Sequence, residues 1–183
     1  LSPTQIITVT PSTLSNAVFE VFDGSCDGLV SLLCVNETSG SAVETAPVTG
    51  FIVGNTYYVR VYSEADASDQ GSFTICISAP PNPCLSITEI DTCGSTINQI
   101  IPAGYGSYNN FACGDNAIGV EHIYVFTPTQ NGDYYIVQNS AFGPVNYQIM
   151  LANNGCSEFG WNCIATLEGN TVSPYIDLND GDE

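Results

Sequence analysis

Eight cysteines, one histidine (His122), one arginine (Arg60) and nineteen carboxylates could do chemistry in this chain, and lysine is absent. Cysteines 26, 34, 76, 84, 93, 113, 156 and 163 form no C-x-x-C pair, and a single histidine is there to join them, so a zinc site is a poor fit. Their even number points to disulfides and an oxidising compartment. Cys26/Cys34 and Cys156/Cys163 each follow a strand-like run and span a glycine-containing loop, eight and seven positions apart. Local bridges Cys26–Cys34 and Cys156–Cys163 are therefore expected. Cys84 and Cys93 would sit at opposite ends of one extended strand, roughly 30 Å apart. That leaves Cys93–Cys113 and, across a proline-rich stretch, Cys76–Cys84; Cys76–Cys113 with Cys84–Cys93 is the open alternative.

The carboxylates gather in turns: Asp23 and Asp27; Glu64, Asp66 and Asp69; Asp177, Asp180, Asp182 and Glu183. Calcium takes several oxygen ligands, and acidic glycine turns supply them. Asp177, Asp180 and Asp182 are the calcium candidates. Their run departs from the EF-hand pattern, because Gly181 comes one place early and no Glu follows at position twelve. The competing reading is a solvated acidic surface. His122, beside Glu121, would need a nucleophile and an orienting partner to act as a base, and no G-x-S-x-G motif is present. It reads as structural. The acids sit in turns rather than on strands facing a cleft, which argues against a glycosidase carboxylate pair. Ten tyrosines could stack on sugars, although in alternating strands one of each adjacent pair packs inward. Trp161, inside the 156–163 loop, reads as a contact residue or a plug.

One cation against nineteen acids gives a formal charge of −18. Nucleic acid and anionic membrane surfaces both need Lys or Arg and are excluded as partners. No apolar run of about 18 residues occurs, so no membrane-inserted helix is expected. Hydrophobic residues make up 44% of the chain, enough to build a core. Leu1-Ser-Pro-Thr4 lacks an initiator Met and signal-peptide features, and reads as the start of a mature or excised segment.

The elements that must position these residues are strands. Gln5–Pro11, Ala17–Asp23, Thr56–Ser63, Ser72–Ser78, His122–Pro128 and Asp133–Asn139 are short β-branched and aromatic runs bounded by turn residues. The pattern predicts an all-β chain of antiparallel β-sandwich modules, jelly-roll or Ig-like, in tandem and stabilised by disulfides. An internal repeat sets the organisation. Pro3-Thr-Gln5 recurs as Pro128-Thr-Gln130, Cys26 aligns with Cys156, Cys34 with Cys163, and Gly54 with Gly181, at offsets of 125, 130, 129 and 127. The first copy continues through Tyr57–Tyr62 and Phe73–Ile77. The second has an opening section, Cys84 to Val125, that the first lacks. The expected division is residues 1–79 as the back of one sandwich repeat, 80–83 as a stiff proline linker, and 84–183 as the front of the next. A sandwich with strands missing exposes its edges. The chain is then a window onto a longer repetitive protein, or neighbouring chains complete each other's sheets by strand complementation.

Certain motifs carry a family resemblance. They are Asn82-Pro-Cys84 with Cys93-Gly94, Ala112-Cys-Gly114, Gly119-Val-Glu-His-Ile-Tyr-Val-Phe-Thr127, Val21-Phe-Asp-Gly-Ser-Cys26, Gly54-Asn-Thr-Tyr-Tyr-Val-Arg-Val61 and Gly71-Ser-Phe-Thr-Ile-Cys76. In this order they resemble repeat domains of secreted and surface proteins of Bacteroidetes-type bacteria, which are similar to the bacterial pre-peptidase C-terminal domain. The second copy departs from the pattern at Asn153-Asn154-Gly155. The resemblance implies a non-catalytic β-sandwich, exported often by type IX secretion and displayed on the cell surface within an adhesin or extracellular filament. The expected partners are neighbouring repeats or identical subunits, and surface glycans or proteins. The alternative is an accessory substrate-binding domain of a secreted hydrolase.

Overall fold

Apolar side chains at every second position all point to one face of an extended strand. The computed structural model describes residues 4–65, 68–108, 112–114, 118–141 and 143–182, and it places the alternating runs in β-strands. The chain divides into two compact units, Leu1–Pro80 and Pro81–Glu183. The first unit holds β1 (Gln5–Pro11), β2 (Ala17–Asp23), β3 (Val30–Val35), β4 (Glu44–Val48), β5 (Tyr58–Ser63) and β6 (Phe73–Ser78). The second holds β7 (Thr88–Ile90), β8 (Tyr124–Phe126), β9 (Gly132–Tyr134), β10 (Val137–Gln138), β11 (Val145–Ile149), β12 (Asn162–Leu167), β13 (Thr171–Val172) and β14 (Ile176–Leu178). Two single-turn 3-10 segments, Pro83–Leu85 and Ala152–Asn154, are the only helical turns among the described residues. The protein is all-β.

In the first unit, antiparallel sheets of order β4-β1-β6 and β3-β2-β5 enclose one core. Ile7 and Val9 of β1, Phe19 and Val21 of β2, Val35 of β3, and Ala46 and Val48 of β4 fill it. Each such side chain contributes about 1.5–3 kcal/mol on burial. Glu44 is buried among them at the start of β4. Its Oε1 accepts from Thr38 N and Oγ1, and its Oε2 from Glu37 N, so one carboxylate holds the β3–β4 loop. The turn after β1 is fixed from the other side. Ser72 O accepts from Ser12, Thr13 and Leu14 N. A Cβ on Gly71 would lie 2.3 Å from Leu14 N, so this close approach needs glycine. That clasp delivers β6 to the edge of β1.

The pairing pattern of the first unit recurs in the second. β1 pairs with β4; β9 and β10 pair with β14 and β13, one interrupted strand against another, about 127 residues further on. β2 pairs with β3 with a register shift after Val21; β11 pairs with β12 with a register shift after Tyr147. Each of these two-strand ribbons ends on a buried aliphatic residue, Val35 opposite Phe19 and Leu167 opposite Val145. The connecting loops are 24–29 and 150–161, so the second is six residues longer. β5 and β6 have no counterpart among the described residues of the second unit, which instead begins with the parallel pair β7–β8.

The longer loop corrects the cysteine alignment. By strand register Cys163, opposite Gln148, corresponds to Ser31, opposite Phe22, and not to Cys34. The bridges are Cys84–Cys156 and Cys113–Cys163, both within the second unit. They replace the expected Cys156–Cys163, Cys93–Cys113 and Cys76–Cys84, and the alternative Cys76–Cys113 with Cys84–Cys93. Cys26, Cys34, Cys76 and Cys93 are exposed thiols. Cys26 lies against Tyr58 and Cys34 against Tyr62. Those tyrosines are four residues apart on one side of β5, roughly 13 Å, beyond disulfide reach. The two bridges close spans of 72 and 50 residues, where a cross-link stabilises by about 4 kcal/mol in the chain-entropy account.

Phe19→Ala is expected to cost the first unit about 3–5 kcal/mol. In urea the far-ultraviolet circular dichroism transition should split, its early part belonging to the first unit. The emission of Trp161, the one tryptophan, which lies in the second unit, should keep its wild-type midpoint.

Candidate interaction surface

β6 is built to be half-buried and is not. Its register against β1 sets Phe73 opposite Pro11, Ile75 opposite Val9 and Ile77 opposite Ile7, so all three share the face of the buried core residues. Yet they are 40%, 44% and 55% exposed, whereas Ile7 and Val9 are 0%. Across the core the matching strand is β5, whose Val59 and Val61 are only partly buried. The two sheets are closed over β1, β2, β3 and β4 and open along β5 and β6. An apolar row of this kind on an edge strand marks an interaction site more often than an idle surface.

The outer face of the β3-β2-β5 sheet carries the only fixed cation. Arg60 stands opposite Glu20 and lies 4.5 Å from the ring centroid of Tyr62. This stacking suits a guanidinium with few competing partners. Glu20 also accepts from Ser31 Oγ. Hydrogen bonding to Cys26 raises the Tyr58 phenol above its ordinary value, with the thiolate's charge and burial adding to it. Burial first, then Cys34 and Glu20, raise Tyr62, against a lowering by Arg60. Tyr58, Arg60 and Tyr62 thus form one outward row flanked by two thiols.

The calcium candidates are not brought together. Asp177 lies on β14 directly opposite Asp133 of β9. Asp182 Oδ2 accepts from Asn179 N at 2.8 Å and Nδ2 at 3.3 Å, closing its own turn. Asp180 N donates to Asn131 Oδ1. Among the described residues no three His, Cys, Asp or Glu side chains are grouped to hold a metal ion. Glu183 and Asp66 lie outside the described residues. Glu64 and Asp69 are loop clamps: Glu64 Oε2 accepts from Asn16 and Asn36 Nδ2, and Asp69 Oδ2 from Ser15 N and Ser63 Oγ.

His122 Nε2 is enclosed and has no hydrogen-bond partner, so no group orients the ring through that atom. Its neighbour Glu121 is the more active residue. Its carboxylate accepts from Ser107 N and Tyr108 N, and it packs where a Cβ on Gly106 would fall. Tyr108 is thereby set on the Cys84–Cys156 bridge, its phenol 2.9 Å from Cys84 Sγ. Burial first, then Glu121 and Glu158, push that phenol up. Trp161 Nε1 donates to Ser157 O and closes the loop it sits in. No described helix is long and apolar enough to cross a membrane. Comparison with protein-family models, curated proteins and solved structures finds no match to the chain.

Glu44 and the apolar edge residues Phe73, Ile75 and Ile77 are the functional-looking residues that sequence spacing did not single out, and Cys76 was read only as half of a bridge. The one available signal was that Phe73–Ser78 carries neither charge nor proline.

Two predictions follow from these contacts. Tyr58, Tyr62, Tyr108, Tyr124 and Tyr147 all ionise above the ordinary value of 10.0. Raised folded-state values mean stability that is complete below that pH and lost as pH rises through them. Absorbance at the phenolate band should show a subset of tyrosines titrating late, with the denaturation midpoint falling over the same interval. Separately, Asp133→Lys turns a like-charge cross-strand pair into an opposite one and should stabilise the second unit by about 0.2–1 kcal/mol, read from its urea midpoint.

Proposed function

We propose that the chain is a non-catalytic structural and adhesive segment of an extracellular bacterial surface protein or filament, built from tandem β-sandwich modules of the jelly-roll or Ig-like kind. The observation that carries this reading is the recurrence of one strand-pairing plan, bulged ribbon included, about 127 residues along the chain. A plan repeated at domain spacing is the mark of an array, in which each unit works by stiffness and by contact with its neighbours. Two long-range disulfides suit an oxidising compartment and brace the unit with the thinner set of strands. The resemblance to surface repeat domains related to the pre-peptidase C-terminal domain supports the same reading. On it, the acidic surface keeps the array soluble, and the partners are neighbouring repeats or identical subunits.

Pulling the chain from its ends tests the mechanical role. Two unfolding events are expected, one per unit. Reduction should lengthen the released contour of the second unit by roughly 240–260 Å, the extended length of the chain over the sequence separation of 72 between Cys84 and Cys156. A single event, or extension at forces that leave ordinary loops unaffected, would remove the structural role.

A further inference from the structure

The edge strand β6 is self-complementary, and its symmetry centre is a thiol. Among the described residues β6 is the last strand of its sheet, and one side of its main chain faces no other strand. Which groups lie there follows from the ladder. Ser12 N donates to Ser72 O at 2.8 Å, and the same register carries on to Thr10–Thr74, Thr8–Cys76 and Ile6–Ser78. In an antiparallel ladder a residue's N–H and C=O point to the same side, and the sides alternate along the strand. Thr74, Cys76 and Ser78 therefore spend their main-chain groups on β1. Phe73, Ile75 and Ile77 aim theirs at the free edge. The same three residues carry the exposed apolar row.

Edges are normally guarded by proline, charge or a bulge. The opposite edge of this sheet, β4, carries Pro47. In the second sheet β5 carries Arg60, and β3 joins β2 through a register shift. β6 reads Phe-Thr-Ile-Cys-Ile-Ser and has no such guard.

We propose that β6 pairs antiparallel with β6 of a second copy, about a two-fold axis through Cys76, and that the two Cys76 thiols oxidise to a disulfide across that axis. In this register Ile75 of each copy exchanges both main-chain bonds with Ile77 of the other, using the groups the ladder leaves free. Phe73, Ile75 and Ile77 of both copies then form one continuous apolar face. Cys76 meets Cys76 at a non-hydrogen-bonded pair, where Cα atoms lie about 4.5 Å apart, within disulfide range. Both thiols are exposed before pairing. The oxidant is a low-molecular-weight disulfide of the oxidising compartment. Two thiols and one such disulfide give the Cys76–Cys76 bond and two small thiols, so electrons and protons balance.

Charge also favours a second copy over a basic or acidic partner at this strand. The paired segment is neutral, so pairing buries no ion. The −18 charge of each copy acts only from a distance and is screened by salt. An isologous contact of this kind closes at two copies and would tie one array laterally to another.

The inference rests on reading the open side of the first unit as an association surface, and its test is separate from the pulling experiment, which does not depend on β6. Sedimentation equilibrium of the full chain, with its two intramolecular bridges intact and Cys76 kept as the thiol by omitting oxidant, should show a monomer–dimer equilibrium about 19.4 kDa, tightening as salt rises. With oxidised glutathione, peptide mapping should recover a Cys76–Cys76 peptide. Cys76→Ser should keep the reduced dimer and lose the covalent one. Ile75→Pro removes an N–H that β1 does not use, and should weaken dimerisation at least about tenfold with the far-ultraviolet spectrum unchanged. Ile77→Lys, at an exposed position, gives the same reading if the proline variant does not fold. A monomer at every concentration and salt would overturn the proposal. So would a dimer that survives both edge variants, or cross-links mapping to Cys26, Cys34 or Cys93.

Discussion

A chain with nineteen carboxylates and one fixed cation cannot neutralise its acids with ion pairs. The structure answers by giving them main-chain N–H groups, hydroxyls and amides. Glu44 takes the β3–β4 loop, Glu64 two asparagines, Asp69 the turn before β2, Glu121 the segment carrying Tyr108, and Asp182 its own turn. A carboxylate accepting several donors is a strong local anchor, because charge-assisted hydrogen bonds exceed neutral ones. The acids thus set the loops, the loops set where each strand begins, and the sheets depend on both. Arg60 has no such distributed role and stacks on Tyr62 beside Glu20.

On that scaffold the two units differ in what they leave open. The first has a closed core around Phe19 and an uncovered side along β5 and β6. The second repeats the inner strand pairs with less burial and carries both covalent bridges, whose cysteines are half-buried or exposed. Small cores commonly rely on disulfides in this way. The same plan is held by hydrophobic burial in one unit and by cross-links in the other.

The repeat shows how far sequence spacing reaches. Its order and its period near 127 were legible, because turns and alternating strands recur in the same sequence whatever the side chains. The cysteine equivalences were not. A loop longer by six residues shifts Cys163 to the position of Ser31, and loop length changes freely without disturbing the ribbon it joins. Among the described residues the calcium candidates are not grouped, for a related reason. Asp177 and Asp182 are close in sequence, but one is in a strand and the other is turned back on Asn179.

The sequence by itself determined that the chain is all-β and acidic, and where β1, β2, β5, β6 and β8 fall. These properties follow from composition and from period-two alternation, which are local. The tertiary structure alone decided which cysteines meet, which carboxylates hold loops, and that Phe73, Ile75 and Ile77 remain uncovered. Those outcomes depend on strand order and register, which bring together residues as far apart as Cys84 and Cys156, and no local pattern encodes them.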